Sequence, residues 1–301
     1  MKYLQTTGLF TTRKTGTGHP LRFLVWPALF VLTSSALGAT PAEPPTDLAI
    51  AMNRLYNTDY SGALKILQDW ERAHPIDPVG HALEAADFMF SEFTRLKILE
   101  SQFFEDDKKI ISKKKLPPDP ETRDKFYRQI DDARRIATAE LKKNPDNVNA
   151  LFALTISGGL LTDYTSLIEK KNIASLSIAK ETQADAVRLL KIDPNYGDAY
   201  LTTGFSEYLV GSLPFFVRWF THFDATEGSK QVAIEKLQRV AKTGQYLGPF
   251  ARLLLAIIYL REDQPWQTES LLSGLSHEYP ENQLLKVELK KVVELTKNTT
   301  K

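Results

Sequence analysis

Four prolines, each set between two helical runs, constrain this chain more than any other feature. Pro75, Pro145, Pro194 and Pro280 each follow an amphipathic run and precede another. Proline has no amide donor and a fixed φ, so each one closes a helix and opens a turn. The intervals are 70 residues from Pro75 to Pro145, 49 to Pro194 and 86 to Pro280. Twelve residues before these prolines stand Ala63, Ala133, Thr182 and Thr268; eight before them stand Leu67, Ala137, Ala186 and Leu272. The first set is small, as two closely approaching helices require, and the second lies about one turn further along the same face. Such a chain buries its apolar faces by stacking helix pairs on one another.

The junction at the third proline is the richest. Asp193-Pro194-Asn195-Tyr196-Gly197-Asp198-Ala199-Tyr200 leads on to Gly204. Tyr200 and Gly204 are one helical turn apart, which sets a large knob beside a gap where a neighbouring helix can come close. This junction, and the small-residue, core-residue and proline pattern at intervals built on units of about 34 residues, resembles the tetratricopeptide (TPR) repeat superfamily. The resemblance covers roughly residues 46–295. Departures from the repeat pattern are Thr203 and Glu207 at its Leu and Tyr positions, and Arg252 where an aromatic belongs. The resemblance implies an all-α fold, a right-handed superhelix of antiparallel helix pairs with irregular repeats. It also implies a concave groove lined by the first helix of each pair. Carried onto this sequence, the groove positions are Asp198, Leu201, Phe205, Tyr208 and Leu209, then Phe250, Leu253, Ile257, Leu260 and Arg261.

Apolar periodicity agrees with the class. Leu48, Met52 and Leu55 mark one helical face, and Leu64, Leu67 and Trp70 another. Phe126, Ile130, Ala133, Ile136 and Ala137 recur at spacings of three and four, as an amphipathic helix requires. Val148 to Leu161 and a long run from about Tyr164 to Leu190 read as further helices. Leu253 to Leu260 is apolar all round, so it should be covered on both sides, and it is too short to span a membrane.

The first 38 residues read differently. They contain Lys2, Arg13, Lys14 and Arg22 and no acidic residue, then an apolar run from Phe23 to Leu32 broken by Pro27, then small residues to Gly38. That is the pattern of a secretory signal peptide, with cleavage expected after Gly38 or Ala39. An uncleaved anchor is the alternative. Residues 39–46 read as a Pro-rich spacer, and 47–301 as the helical domain. Without the four leader cations, the 38 basic residues become 34 against 37 acidic, a net charge near −3. Such a body has no general attraction for nucleic acid. The absence of cysteine is compatible with export and leaves the fold without disulfides.

Two stretches break the rhythm. Residues 105–118 join an acidic triplet to five lysines and a double proline, which reads as a solvated, mobile loop. Residues 212–223 carry Phe215, Trp219 and Phe223 at helical spacing, flanked by Phe216 and Phe220. Packing is the expected role, with a partner groove or peripheral membrane contact as the weaker alternative. Gly211 to Val217, the polar break through Gly228, the helix from Lys230 and the apolar helix after Gly248 are similar in layout to eukaryotic inclusion-body-clearance proteins. Those too are TPR-type proteins, so this likeness implies a helical repeat and adds no site.

Motifs for catalysis are missing. The five histidines show no metal-ligand spacing, and neither a nucleophile elbow nor a phosphate-binding loop occurs. Asp163-Tyr164 and Glu207-Tyr208 are the two polar pairs that could line a pocket, with helix-surface or capping roles as the default. The expectation is an exported, non-enzymatic scaffold without cofactor that binds a protein or peptide through Leu201, Phe205, Tyr208, Leu253, Ile257 and Arg261. The alternative is a small-molecule carrier or transporter-associated subunit of the cell envelope, which would need an enclosed pocket with a few convergent polar groups.

Overall fold

The computed structural model describes residues 44–98, 116–212 and 230–299. The leader, spacer residues 39–43, most of the 105–118 stretch and the aromatic segment beyond Ser212 lie outside the described residues. Eleven helices and no strand occur among the residues described. They are α1 Thr46–Tyr56, α2 Tyr60–Ala73, α3 Pro78–Leu96, α4 Pro120–Lys143, α5 Val148–Asp163 and α6 Asn172–Ile192. Then follow α7 Tyr200–Ser212, α8 Lys230–Thr243, α9 Gly248–Arg261, α10 Pro265–Glu278 and α11 Gln283–Thr299. Side-chain caps start several of them: Asp59, Asp77, Asp119 and Asn147 each accept a backbone N–H from the first turn.

The four prolines occupy one kind of turn. The amide of Asp77 donates to His74 O at 2.9 Å, Asn147 to Asn144 O at 3.1 Å, Tyr196 to Asp193 O at 3.2 Å and Asn282 to Tyr279 O at 3.2 Å. In each, proline is the second residue, where its fixed φ suits the turn. A fifth junction of the same place in the fold, Gly244 to Leu247, has no proline. It completes five helix pairs, α1–α2 through α9–α10, with α11 added at the end. Counting back twelve and eight residues from Gln245 gives Ala233 and Leu237. All five small residues (Ala63, Ala133, Thr182, Ala233, Thr268) and all five that follow them (Leu67, Ala137, Ala186, Leu237, Leu272) are buried.

Thr182, Ala233 and Thr268 each sit where their helix meets the first helix of its own pair. Thr268 Oγ1 donates to Ala256 O at 2.9 Å. A Cβ added to Gly204 would stand 3.0 Å from Lys236 Cβ and 3.3 Å from Ala233 O, so α7 and α8 touch at this glycine. The apolar helix α9 is covered on two sides, as its composition requires. Leu253 and Ile257 pack with Leu272, Leu275 and Val292, while Leu255 and Ile258 pack with Tyr208, Ala233 and Leu237.

The opposite turns, from the first to the second helix of a pair, are irregular. All four non-glycine residues with positive φ among those described lie there: Thr58 at 65°, Lys97 at 54°, Lys170 at 62° and Asp263 at 56°. In the two short turns the amides of Asp59 and Gln264 reach back five residues, to Arg54 O and Tyr259 O, which is how a left-handed C-terminal residue closes a helix. The long helix expected from Tyr164 to Leu190 is interrupted. Tyr164–Ile168 forms a π turn, and α6 starts only at Asn172. The buried Tyr164 ring stacks on Phe126 at 4.2 Å, and this anchoring fixes the break. Together α5 and the π turn are long and apolar enough to cross a membrane; most of the stretch is buried, as a central core helix must be.

The two ends of the stack meet. Tyr56 OH donates to Tyr246 O at 2.8 Å, Asn282 Nδ2 donates to Tyr56 O at 2.8 Å, and the Tyr56 and Tyr279 rings lie 5.5 Å apart. Phe90 on α3 meets Phe250 on α9 edge-on at 5.3 Å. The inward positions of the first three pairs, among them Leu48, Met52, Ala86, Met89, Phe152 and Ile156, are buried together with Leu247 and Ala251. Side chains therefore fill the interior that an open solenoid would leave as a trough.

Candidate functional site

The carried-over groove residues divide into three groups. Leu253 and Ile257 are each 8% exposed and pack in the core under α10 and α11; Ile257 presents no groove surface, and what is left of Leu253 faces the cleft described below. Tyr208 is likewise buried, its hydroxyl donating to Glu262 Oε1 at 3.3 Å. Asp198 is a clearer correction. At 1% exposure, it accepts the amides of Gln245 and Leu247 at 2.9 Å each and of Tyr246 at 3.3 Å. Burial pushes its carboxyl up to about 6, and those three donors limit the rise. It organises the turn that lacks proline and satisfies amides that the start of α9 would otherwise leave bare. Leu201, Phe205, Phe250 and Leu260 are half-buried and Arg261 is exposed. The side chain of Leu209 lies outside the described residues.

Among the described residues, two neighbouring concavities share Phe90 and Phe250 in their walls. The larger, about 260 Å³, is a cleft among α1, α3, α9 and α11. Its walls include Tyr56, Phe90, Phe250, Leu253, Tyr279 and Leu285, and among the described residues no charged side chain lines it. Val287 also contributes to the lining and is 48% exposed. Tyr60 and Thr94 hydroxyls hydrogen-bond to each other at 2.7 Å beside it.

The smaller concavity, about 50 Å³, is a slot along α5. Thr155, Gly159 and Asp163 follow one another at intervals of four on the same helical face. Phe90, Leu201, Thr202 and Phe250 stand among the facing walls. A Cβ built on Gly159 meets nothing within 4 Å, so this glycine leaves open space rather than a close contact. Asp163 is the one charged lining residue, and its carboxylate has no hydrogen-bond or ion-pair partner among the described residues. Desolvation pushes its carboxyl up to about 7, although part of its surface stays open to water. Sequence reasoning singled out Asp163-Tyr164 as a polar pair and left Gly159 aside. The signal was present: a glycine inside an apolar helix, four residues before an acid, costs helix stability unless space is needed there.

A third cluster lies between α2 and α3. Glu84 and Asp87 are 3% and 2% exposed, and Glu84 Oε2, Asp87 Oδ1 and Glu71 Oε1 are buried without a hydrogen-bond partner. Burial pushes Glu84 up to about 8, aided by the neighbouring Glu71 carboxylate. Asp87 is also pushed up to about 8 by burial, then by the charges of Glu84 and Asp59. These are acids held protonated by a dry interface. Among the described residues no group of three or more His, Asp or Glu could hold a metal ion.

Five pairs in one register, with small residues at every crossing, decide the architecture. The fold is a TPR-like helical repeat. No family model matches the chain, and no curated protein matches it. Among solved structures the chain is similar to a thermophilic TPR protein from Thermus thermophilus, with a TM-score of 0.45 and 13% identity. That likeness covers 82% of this chain and 97% of the other.

Proposed function

We propose that this chain is an exported, non-enzymatic scaffold that captures a protein or peptide segment, and that the capture surface is the neutral cleft between its two ends. The cleft carries this reading. Its aromatic-walled space of about 260 Å³ suits one or two apolar side chains of a larger partner. Its uncharged aromatic and aliphatic lining favours a hydrophobic segment over an acidic tail. Leu201 belongs to the neighbouring slot, and Phe205 and Arg261 line neither concavity. Export rests on the leader pattern of residues 1–38.

Site-specific photo-crosslinking in cells tests the proposal. A crosslinker at Val287, in the cleft lining, should yield one discrete protein adduct, and Phe250→Ala should abolish it. The same probe at Ile76, 70% exposed and away from the cleft lining, should yield none. Equal adducts from both positions would sink the cleft. A second reading, a small-molecule carrier, is favoured by the slot beside Asp163.

A further inference from the structure

The slot along α5 differs from the cleft in one respect that points to a ligand: it contains a lone carboxylate. A charged group in an apolar cavity is costly unless something compensates it. Asp163 has no such partner among the described residues, and the space beside it is kept open by Gly159, a residue that weakens a helix relative to alanine. We propose that this slot binds a primary ammonium group on a short unbranched apolar stem, the ammonium against Asp163 and the stem over Gly159.

The chemistry of the walls selects that class. An anion would meet the Asp163 carboxylate and no cation, since no Lys, Arg or His among the described residues lines the slot. A neutral apolar molecule would leave the carboxylate unmatched. Planar guanidinium is wider than an ammonium and suits a narrow slot less well. Phe90, Leu201 and Phe250 offer apolar contact to a methylene stem, with the aromatic rings also attracting cations. Two turns of helix, about 12 Å, separate Thr155 from Asp163, so the head group contacts Asp163 and leaves Thr155 to the far end. A carboxyl poised at about 7 becomes fully ionised when a cation is placed beside it. This ligand class rests on the slot alone, so its failure would leave the cleft reading standing, and the reverse.

The ammonium can come from a free aliphatic amine or from the lysine side chain of a partner. Calorimetric titration of the mature chain with n-butylammonium, n-butanol, butyrate and Nα-acetyl-lysine amide separates the possibilities. Butylammonium should bind, and butanol and butyrate should bind at least about tenfold more weakly, the factor expected for one charge-assisted contact. Asp163→Asn, which preserves shape, should weaken the amine by a similar factor. Gly159→Leu should remove binding while melting no lower than the parent, because its side chain enters open space. Binding of butylammonium alone assigns the slot to free amines; binding of the lysine amide as well assigns it to a partner's side chain. Absence of amine binding, equal binding of butanol, or indifference to Gly159→Leu overturns the proposal.

Discussion

The two edges of the helical stack obey different rules. Where a second helix hands over to the next pair, the turns repeat. Proline stands at the same place in four of them, with the same amide-to-carbonyl bond closing each. Side chains then tie neighbouring pairs together along this edge. Asn149 Nδ2 donates to Asp77 Oδ1 at 2.9 Å, and Asp198 holds the turn at Gln245 to Leu247. Where a first helix hands over to its own second helix, nothing repeats except a left-handed residue. Two connections there are three-residue turns, another includes a π turn, and the rest are far longer in sequence. The difference has a geometric cause. Register between pairs must be kept at every step for the small residues to meet, whereas a connection within a pair can lengthen without disturbing its neighbours. Variation collects at this second edge, and Asp163 lies there at the end of α5.

Substitutions and pH can break or sharpen that contrast. The largest effect should come from neither edge. Glu84 and Asp87 keep their protons to about pH 8 in the folded chain but release them near pH 4 when unfolded. Between those values the folded chain binds more protons, so stability is greatest at low pH and falls as pH rises. The loss from pH 5 to 8.5 should be on the order of 5 kcal/mol, read as a drop in Tm of roughly 10–20 °C. Asp87→Asn should flatten this slope. A Tm that rises with pH would mean the acids are ionised in the fold.

On the repeating edge, Asp198→Ala strands three backbone amides and should cost about 3 kcal/mol, with Asp198→Asn costing less because its carbonyl still accepts. Denaturant titration measures both, and equal losses would show that the side chain does not organise the turn. Between the edges, Gly204→Leu should cost about 1–3 kcal/mol by forcing α7 from α8. An unchanged melting temperature would place the crossing elsewhere. On the irregular edge the sign should reverse. Thr58→Gly or Asp263→Gly relieves a left-handed residue at positive φ and should raise stability by about 0.5 kcal/mol, after the greater freedom of glycine in the unfolded chain is counted. Destabilisation there as large as at Asp198 would erase the contrast between the edges.

Much of this was legible in the sequence. The prolines and the residues twelve and eight before them marked four of the five pairs, because a missing amide and a small side chain are local requirements that leave local traces. The fifth junction left a weaker trace. Gly244 to Leu247 lacks proline, and the group that replaces it, Asp198, comes from 47 residues earlier in the chain. Groove positions were the least secure inference. A family register identifies which residues face inward; it cannot say whether the inward side is open.

The sequence by itself determined the helices, their pairing and the crossings at Ala63, Ala133, Thr182, Gly204 and Thr268, since helical periodicity and steric size act over a few residues. Only the tertiary structure decided what the interior became. The contacts of Tyr56 with Tyr246 and Asn282, and of Phe90 with Phe250, bring the first pairs onto the last across some 160 to 230 residues of chain. They fill the inward side of the first three pairs and leave a neutral cleft and a slot with one carboxylate, while packing against neighbouring helices puts Leu253, Ile257 and Tyr208 in the core. Closure of this kind depends on the summed angle of many helix crossings, and no single residue encodes that sum.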